Sequence, residues 1–543
     1  MTALGGPLVA LRDREWALAG LIAAFAAAAL AAVGPSGGDV PAHLYRTLLV
    51  DQGVYLWDNL WFAGQYPLVS YSLLYYPPAA LFGNVPLVFA SVVVSAVLFE
   101  RVCDREWGET AVWPSRAFAL LAAAPLFTGT YSYAAGVAAL LATLWALQNG
   151  WTWTAVGCAA LTLGFSPLAF VFLVLVLAAV LVARRPLGRK AAIFTTGVGG
   201  AVALQAVVLH VFPTGGRYPF RAVELATVFA VCGIGLLLAS RAPRGGLLAA
   251  VFAVWLAASV LLFLVPEPVG ENVTRLRSAV FPVMLLAALL ARFRPRWLAA
   301  VGLAAALAYN VVPYASTVST RMSNTRAAQE EFWAPALAFL HAHNTPDYRV
   351  EVVPTYDHWE SYWIPRDGFA LARGWYRQLD IAENPVLYRD PLAPDGYRAW
   401  LRRMSVRYVL LPRRARLGKK GAPREAALLR SGKAGLVEVF RSRDWRIFEF
   451  PGARPLLSGP GMSRITFFSH DRLVGWTDAP GTYRLAVRYM PYWDVGGPVC
   501  VTRAPDGMTR VRVSRPGHFA LDSDGGATAL VSSPLRGADA RTC

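Results

Sequence analysis

The chain reads as a polytopic α-helical membrane protein of about eleven transmembrane helices, followed by an extracytoplasmic α/β region and a β-sandwich. Three observations predict this class. Hydrophobic residues make up 56% of the 543 positions and mean hydropathy is +0.41, a composition outside the usual range of soluble domains. Several apolar runs approach the ~20 residues that a bilayer core requires. The final stretch, from 316 onward, loses this character and carries short β-branched and aromatic runs separated by Pro and Gly.

The apolar segments fall at 16–33, 83–99, 116–128, 131–147, 151–164, 166–183, 190–211, 221–239, 246–265, 277–291 and 297–315. The first reads as a retained membrane helix, since no cleavage site follows it. Pro125 with Gly129, and GFSP at 164–167, split 116–147 and 151–183 into two short spans each. Charge supports that division. With a cytoplasmic N-terminus, the inside loops hold fourteen basic residues, among them Arg12, Arg14, Arg101, Arg105, Arg116 and Lys190. The outside loops hold five: Arg46, Arg217, Arg221, Arg275 and Arg277. This is the bias expected of a multi-pass protein of a bacterial plasma membrane. An odd number of spans then puts everything after 315 outside the cytoplasm. The net charge of +18, with 48 arginines against 4 lysines, is topogenic on this reading and is no nucleic-acid footprint.

Within the domain 1–315, the first outer loop, 34–83, is too long for a simple connector. It carries GGDVPAHLYR at 37–46 and WDNLWFAGQYP at 57–67. Asp39 and His43 are four apart and share a helical face, with Arg46 one turn further on. A carboxylate beside an imidazole and a cation can deprotonate an acceptor hydroxyl. The plainer reading makes Asp39 an N-cap, or Ser36 and Asp39 a capping box, and His43 structural. Asp51 and Asp58 are weaker candidates. Trp57, Trp61, Tyr66, Tyr71, Tyr75 and Tyr76 read as interfacial aromatics, with stacking on sugars as the second reading.

The five outside arginines run against the topogenic trend. Ringed around an outer mouth they suit a lipid phosphate, which guanidinium groups grip in bidentate fashion; snorkelling to headgroups is the bland account. Glu267, Glu271 and Asp58 are candidates for a second carboxylate.

In the soluble region, 348–354, 406–412, 436–440 and 445–450 read as strands and 394–404 as an amphipathic helix, giving an α/β subdomain over 316–455. From 456 to 543, period-two runs at 483–493 and 509–521 read as a β-sandwich. HWESYWIP at 358–365 and ARGWYRQLD at 372–380 mix charge with aromatics, and serve either as packing or as the lining of a carbohydrate groove. Cys500 and Cys543 can form a disulfide in an oxidising compartment, whereas Cys103, Cys158 and Cys232 read as small buried hydrophobes. No phosphate-binding loop, nucleophile elbow or metal-ligand motif appears in its required context, which argues against an ATP-driven pump.

The long first loop with its acid, GGDVPAHLYRTLLVDQG joined to WDNLWFAGQYPLVSYSLLYYP, resembles the GT-C superfamily of integral-membrane glycosyltransferases. The stretch running from ALARGWYRQLD to YRAWLRRMSVRYVLLP likewise resembles uncharacterised actinobacterial membrane proteins of the YfhO-like and 6-pyruvoyl-tetrahydropterin-synthase-related kinds. The resemblance implies a polyprenyl-phosphate-linked sugar as donor, a cell-wall glycan or glycolipid as acceptor, and Asp39 as the first-loop acid. It leaves a divalent cation open as a cofactor, because the adjacent acidic pair of many members is here a lone Asp39 beside His43, and the WWDYG signature is absent. The alternatives are a polytopic transporter or lipid flippase, and a non-enzymatic envelope-assembly or glycan-binding protein. Transporters keep ionisable residues at the bilayer midplane, and these spans hold almost none.

Overall fold

The computed structural model describes residues 14–33, 37–69, 71–184, 189–213, 216–265, 268–324, 326–419, 421–523, 526–536 and 543. They form two compact units: Met1–Ser36, Tyr71–His210 and Arg217–Ser319 in one, and Gly37–Ser70, Val211–Gly216 and Thr320–Cys543 in the other.

The first unit is helical throughout its apolar runs. All eleven segments expected from hydropathy are helical. Among the described residues, seven stretches are long and apolar enough to cross a membrane: Glu15–Val33, Asn84–Thr128, Pro167–Arg184, Lys190–Val211, Ala222–Ser240, Gly246–Leu264 and Gly270–Ala291. Thr152–Phe165 and Arg296–Val312 are shorter apolar helices. Two local details depart from expectation. The run at 112–128 is two helices, Val112–Leu121 and Ala124–Thr128, because Pro125 ends the regular ladder just before it. The stretch expected as a loop at 271–277 lies inside a 3₁₀ helix, Gly270–Ala279, that leads into Val280–Ala291.

These helices are apolar all round, so their outward faces expose large hydrophobics such as Leu21, Phe25, Leu204 and Leu261. Such a surface belongs in lipid. Inward, Phe99 and Phe118 stack at 4.0 Å. Helix Tyr131–Gln148 meets Pro167–Arg184 at Gly136, where an added Cβ would sit 2.7 Å from the Cβ atoms of Ala169 and Ser166. Glycine is what lets the two backbones approach so closely.

The second unit combines a mixed sheet with a β-sandwich. Strand β1 (Arg349–Val352) lies parallel to β2 (Val406–Pro412); β3 (Val437–Arg441) and β4 (Trp445–Glu449) complete the order β1-β2-β4-β3. The crossover from β1 to β2 carries helices Glu360–Arg366, Arg377–Glu383 and Pro394–Arg403, as a parallel pair requires. Beyond it come β5 (Leu457–Ser458), β6 (Ser463–Phe468), β7 (Arg472–Thr477), β8 (Gly481–Arg488), β9 (Asp494–Gly496), β10 (Val499–Arg503), β11 (Met508–Val513) and β12 (Gly517–Asp522). They make two four-stranded sheets, β10-β11-β8-β5 and β6-β7-β12-β9. Cys500 on β10 is bonded to Cys543, with Cα atoms 5.3 Å apart.

The first loop packs with this unit. Backbone bonds tie it in: Leu371 N–H donates to Leu60 O (2.8 Å), Arg488 N–H to Ala63 O (2.7 Å) and Asn59 N–H to His470 O (2.6 Å). The Trp61 indole donates to Ser361 O at 2.9 Å. Trp57, Trp61 and Tyr66 are buried, and in the helical unit so are Tyr75 and Tyr76. Those five side chains are core, which removes them as interfacial anchors or sugar-stacking platforms. Phe212 belongs to the same unit, 5.2 Å from the ring of Tyr66 and 6.0 Å from that of Tyr492.

Candidate functional site

Helix Val40–Asp51 begins at Asp39, which occupies the N-cap position without a side-chain capping bond. Ser36, its expected partner in a capping box, lies outside the described residues. Two contacts fix the approach to the helix. Gly38 N–H donates to Asp357 Oδ1 at 3.2 Å, and the Trp375 indole donates to Gly38 O at 3.1 Å. Gly37, at φ +147°, presses its backbone so near that a Cβ would lie 2.3 Å from Asp357 Oδ2. Asp39 is half-buried one residue beyond the amide that Asp357 holds.

Asp357 sits in a turn that its neighbours overdetermine. Glu360 Oε2 accepts from Thr355 N–H (3.0 Å) and Thr355 Oγ1 (2.7 Å), while Thr355 Oγ1 accepts from Trp359 N–H (3.0 Å). This cap holds His358 at φ +59°, a region that non-glycine residues seldom adopt outside strained functional turns. His358 Nδ1 lies 3.0 Å from Glu360 Oε1. The arrangement is the carboxylate–imidazole pairing that orients a histidine for proton transfer, with the other ring nitrogen left for a substrate or a neighbour. The Asp357 carboxyl is pushed up to about 6 by burial, against the lowering effect of the Gly38 amide and of His358. Its Oδ2 is buried without a hydrogen-bond partner. A half-buried Asp39, a protonatable Asp357 and an oriented His358 thus gather at one helix start, the kind of cluster that acid–base chemistry uses. His358 and Glu360 were legible only as part of the charged aromatic stretch 358–365, and Asp357 lay just before it; the signal that would have included it is three ionisable residues in four, DHWE at 357–360.

The other expected residues are placed as follows. His43 shares the helical face of Asp39 but is 1% exposed, and Arg46, also 1% exposed, lies 4.3 Å over the Tyr376 ring. Both side chains are closed to solvent in this structure. Asp58 is 0% exposed; its Oδ1 accepts from Tyr45 Oη (2.9 Å) and Leu60 N–H (3.0 Å) and lies 3.2 Å from His470 Nδ1. It is a buried acid of the loop whose Oδ1 is taken up by these contacts. In the helical unit, Arg221 pairs with Glu271 (2.9 Å) and Glu224 (2.7 Å), and Arg277 lies 3.9 Å from Glu224. Two guanidiniums expected for a lipid phosphate therefore spend their charge on two glutamates, Glu271 among them. Arg217 is exposed and Arg275 half-buried, and Glu267 lies outside the described residues. In the stretch ARGWYRQLD, Arg373 is buried among Glu351 (3.0 Å), Asp380 (3.7 Å) and Glu425 (3.7 Å), and burial pushes the Glu351 and Glu425 carboxyls upward. That network is packing, closed to ligands.

Among the described residues no group of three or more His, Cys, Asp or Glu side chains is placed to hold a metal ion.

The helical unit contains an apolar cavity of about 370 Å³, lined by Phe99, Leu140, Leu144, Phe172, Val176 and Phe252 among others. Its few polar groups include the ion-paired Glu106 and Arg184, together with Gln148 and Ser278. The volume is in the range of small-molecule sites.

No family model matches the sequence, and no curated protein matches it. Solved structures do. The chain is similar in fold to the arabinofuranosyltransferase AftD from Mycobacteria, with a TM-score of 0.46 and 15% identity over 80% of this chain and 41% of that one. It is also similar to the archaeal oligosaccharyltransferase AglB from Archaeoglobus fulgidus, with a TM-score of 0.33 and 12% identity over 73% of this chain and 69% of that one. The chain thus spans less than half the length of AftD. Both likenesses concern fold alone.

Proposed function

We propose that this protein is an integral-membrane glycosyltransferase that moves a sugar from a polyprenyl-phosphate donor to a cell-envelope glycan or glycolipid on the outer face of a bacterial plasma membrane. The observation that carries the reading is the junction of Asp39 with Asp357 through the Gly38 amide. It joins the first-loop acid to a second carboxyl with a raised proton affinity. Asp39 takes the proton of the acceptor hydroxyl as that oxygen bonds to the sugar's anomeric carbon. The bond from that carbon to the carrier phosphate breaks, and the phosphate leaves with the electron pair. Asp357 and the His358–Glu360 pair hold the geometry and receive the proton onward. His43 and Arg46 act from within the fold, positioning the helix. Within the helical unit, Arg217 and Arg275 are the guanidiniums that suit a lipid phosphate. The apolar cavity supports a prenyl or acyl chain as part of the donor, and the Cys500–Cys543 bond supports an oxidising compartment for the C-terminal unit.

The test uses the full chain in detergent with a polyprenyl-phosphate sugar and an envelope glycan acceptor. Asp39→Asn is expected to lower transfer at least ~100-fold while thermal unfolding is unchanged, and Asp357→Asn ~10-fold or more. Transfer at the wild-type rate by Asp39→Asn would remove the assignment. The cavity also suits a lipid flippase. That protein would move labelled lipid across sealed vesicles and form no new glycosidic bond.

A further inference from the structure

Arg349 on β1 is 0% exposed. Its Nη1 donates to Met404 O at 3.1 Å, while Nε and Nη2 are buried without hydrogen-bond partners. No carboxylate is ion-paired with it among the described residues. A guanidinium does not give up its proton in a protein, and burying an uncompensated charge costs several kcal/mol, on the order of the whole stability of a domain. Burial pushes Arg349 down to about 9, and repulsion by Arg484 and Arg488 on β8 pushes in the same direction. So the charge persists at neutral pH in the presence of like charges.

Three more guanidiniums gather at this joint between the mixed sheet and the sandwich. Arg403 donates to Glu383 O (3.0 Å) and is held low by burial and by Arg488. Arg484 donates to Arg403 O (3.1 Å) and pairs with Asp506 (2.9 Å). Arg488 donates to Phe62 O (2.8 Å) and pairs with Glu383 (2.6 Å). Four guanidiniums face two carboxylates, which leaves a charge of +2. Exposure falls from the partly open Arg484 and Arg488 side chains, 32% and 21% exposed, to the closed Arg349. The surplus charge thus runs from two partly exposed guanidiniums to one that is fully buried and has unused N–H groups.

We propose that Arg349, Arg403, Arg484 and Arg488 form a binding site for a phosphate group, with Arg349 at its base. A phosphate carries close to two negative charges at neutral pH and several acceptor oxygens, which matches both the surplus and the unused N–H groups. Guanidinium forks grip such an oxyanion in bidentate fashion. The ligand is either free phosphate or a phosphate ester on a glycan or carrier.

The experiment is thermal unfolding of the full chain in detergent at constant ionic strength. Sodium phosphate replaces chloride in one arm and glycerol phosphate in the other. The wild type is expected to show a saturable rise in unfolding temperature. A larger rise with glycerol phosphate identifies an ester, and a larger rise with inorganic phosphate identifies the free ion. Arg349→Met is expected to lose the rise, and also to unfold at a higher temperature than the wild type when no phosphate is present. Should that variant fail to fold, Arg403→Gln is expected to raise the half-saturating concentration ~10-fold, the effect of losing one charge-assisted contact. Absence of any rise beyond the chloride control, or an undiminished rise in both variants, overturns the proposal. The readout is binding, so it is independent of whether sugar transfer is observed.

Discussion

Asp357 shows why part of the site was hidden. Asp39 was legible in the sequence from its place in a long polar loop. Asp357 stands 319 positions away from Gly38, and no local pattern predicts that contact. His43 and Arg46 were legible as a helical face, but periodicity does not say which way the face points, and here it points into packing. The raised affinity of Asp357 also sets a pH dependence. Below about pH 4 the carboxyl is protonated both folded and unfolded. Between about 4 and 6 the unfolded chain releases the proton first, so folding loses support as pH rises through that window. The difference between about 6 and the ordinary carboxyl value corresponds to about 3 kcal/mol. The gap in stability between wild type and Asp357→Asn, followed by urea unfolding, is expected to move by that amount in favour of the variant between pH 4 and pH 7. A constant gap would remove Asp357 as the titrating group.

The helices and strands were far more legible than the side-chain partners. Hydropathy located the long apolar helices of the first unit, because a bilayer demands a run length that sequence displays directly. The strands at 406–412 and 445–449 were legible from β-branched and aromatic runs, and helix Pro394–Arg403 from its periodicity. Short strands such as β5 and β9, two and three residues long, are too brief to carry a pattern. The 3₁₀ turn at Gly270–Ala279 was hidden because its polar residues imitate a loop. The loop that leads to Asp39 is an element whose shape depends on one glycine. Gly37→Ala drives a methyl into the Asp357 carboxylate, and is expected to cost about 1–3 kcal/mol in stability and to depress transfer. Gly53→Ala serves as its control. Gly53 also has positive φ, at +77°, yet nothing lies within 4 Å of an added Cβ, so about 1 kcal/mol is expected with transfer unaltered. Equal loss of transfer in the two variants would show that the loop contributes only stability.

At the scale of the molecule, the sequence divided the chain at 316, whereas packing assigns Gly37–Ser70 and Val211–Gly216 to the same unit as Thr320–Cys543. A folded unit that includes water-soluble sheets occupies one side of a bilayer. Between residues 70 and 211 the chain must therefore cross an even number of times, and again between 216 and 320. Among the described residues each interval holds three stretches long and apolar enough to cross, so parity requires the shorter apolar helices Thr152–Phe165 and Arg296–Val312 to cross as well. Cysteines introduced singly at Gln52 and Ser431, both exposed, are expected to react equally with an impermeant thiol reagent in oriented vesicles. Labelling of one without the other would break the parity. Each excursion of this polypeptide into lipid is then a round trip. Its three landings, widely spaced along the gene, must reach the same compartment before the last of them can fold, so insertion has to finish before the water-facing half can assemble.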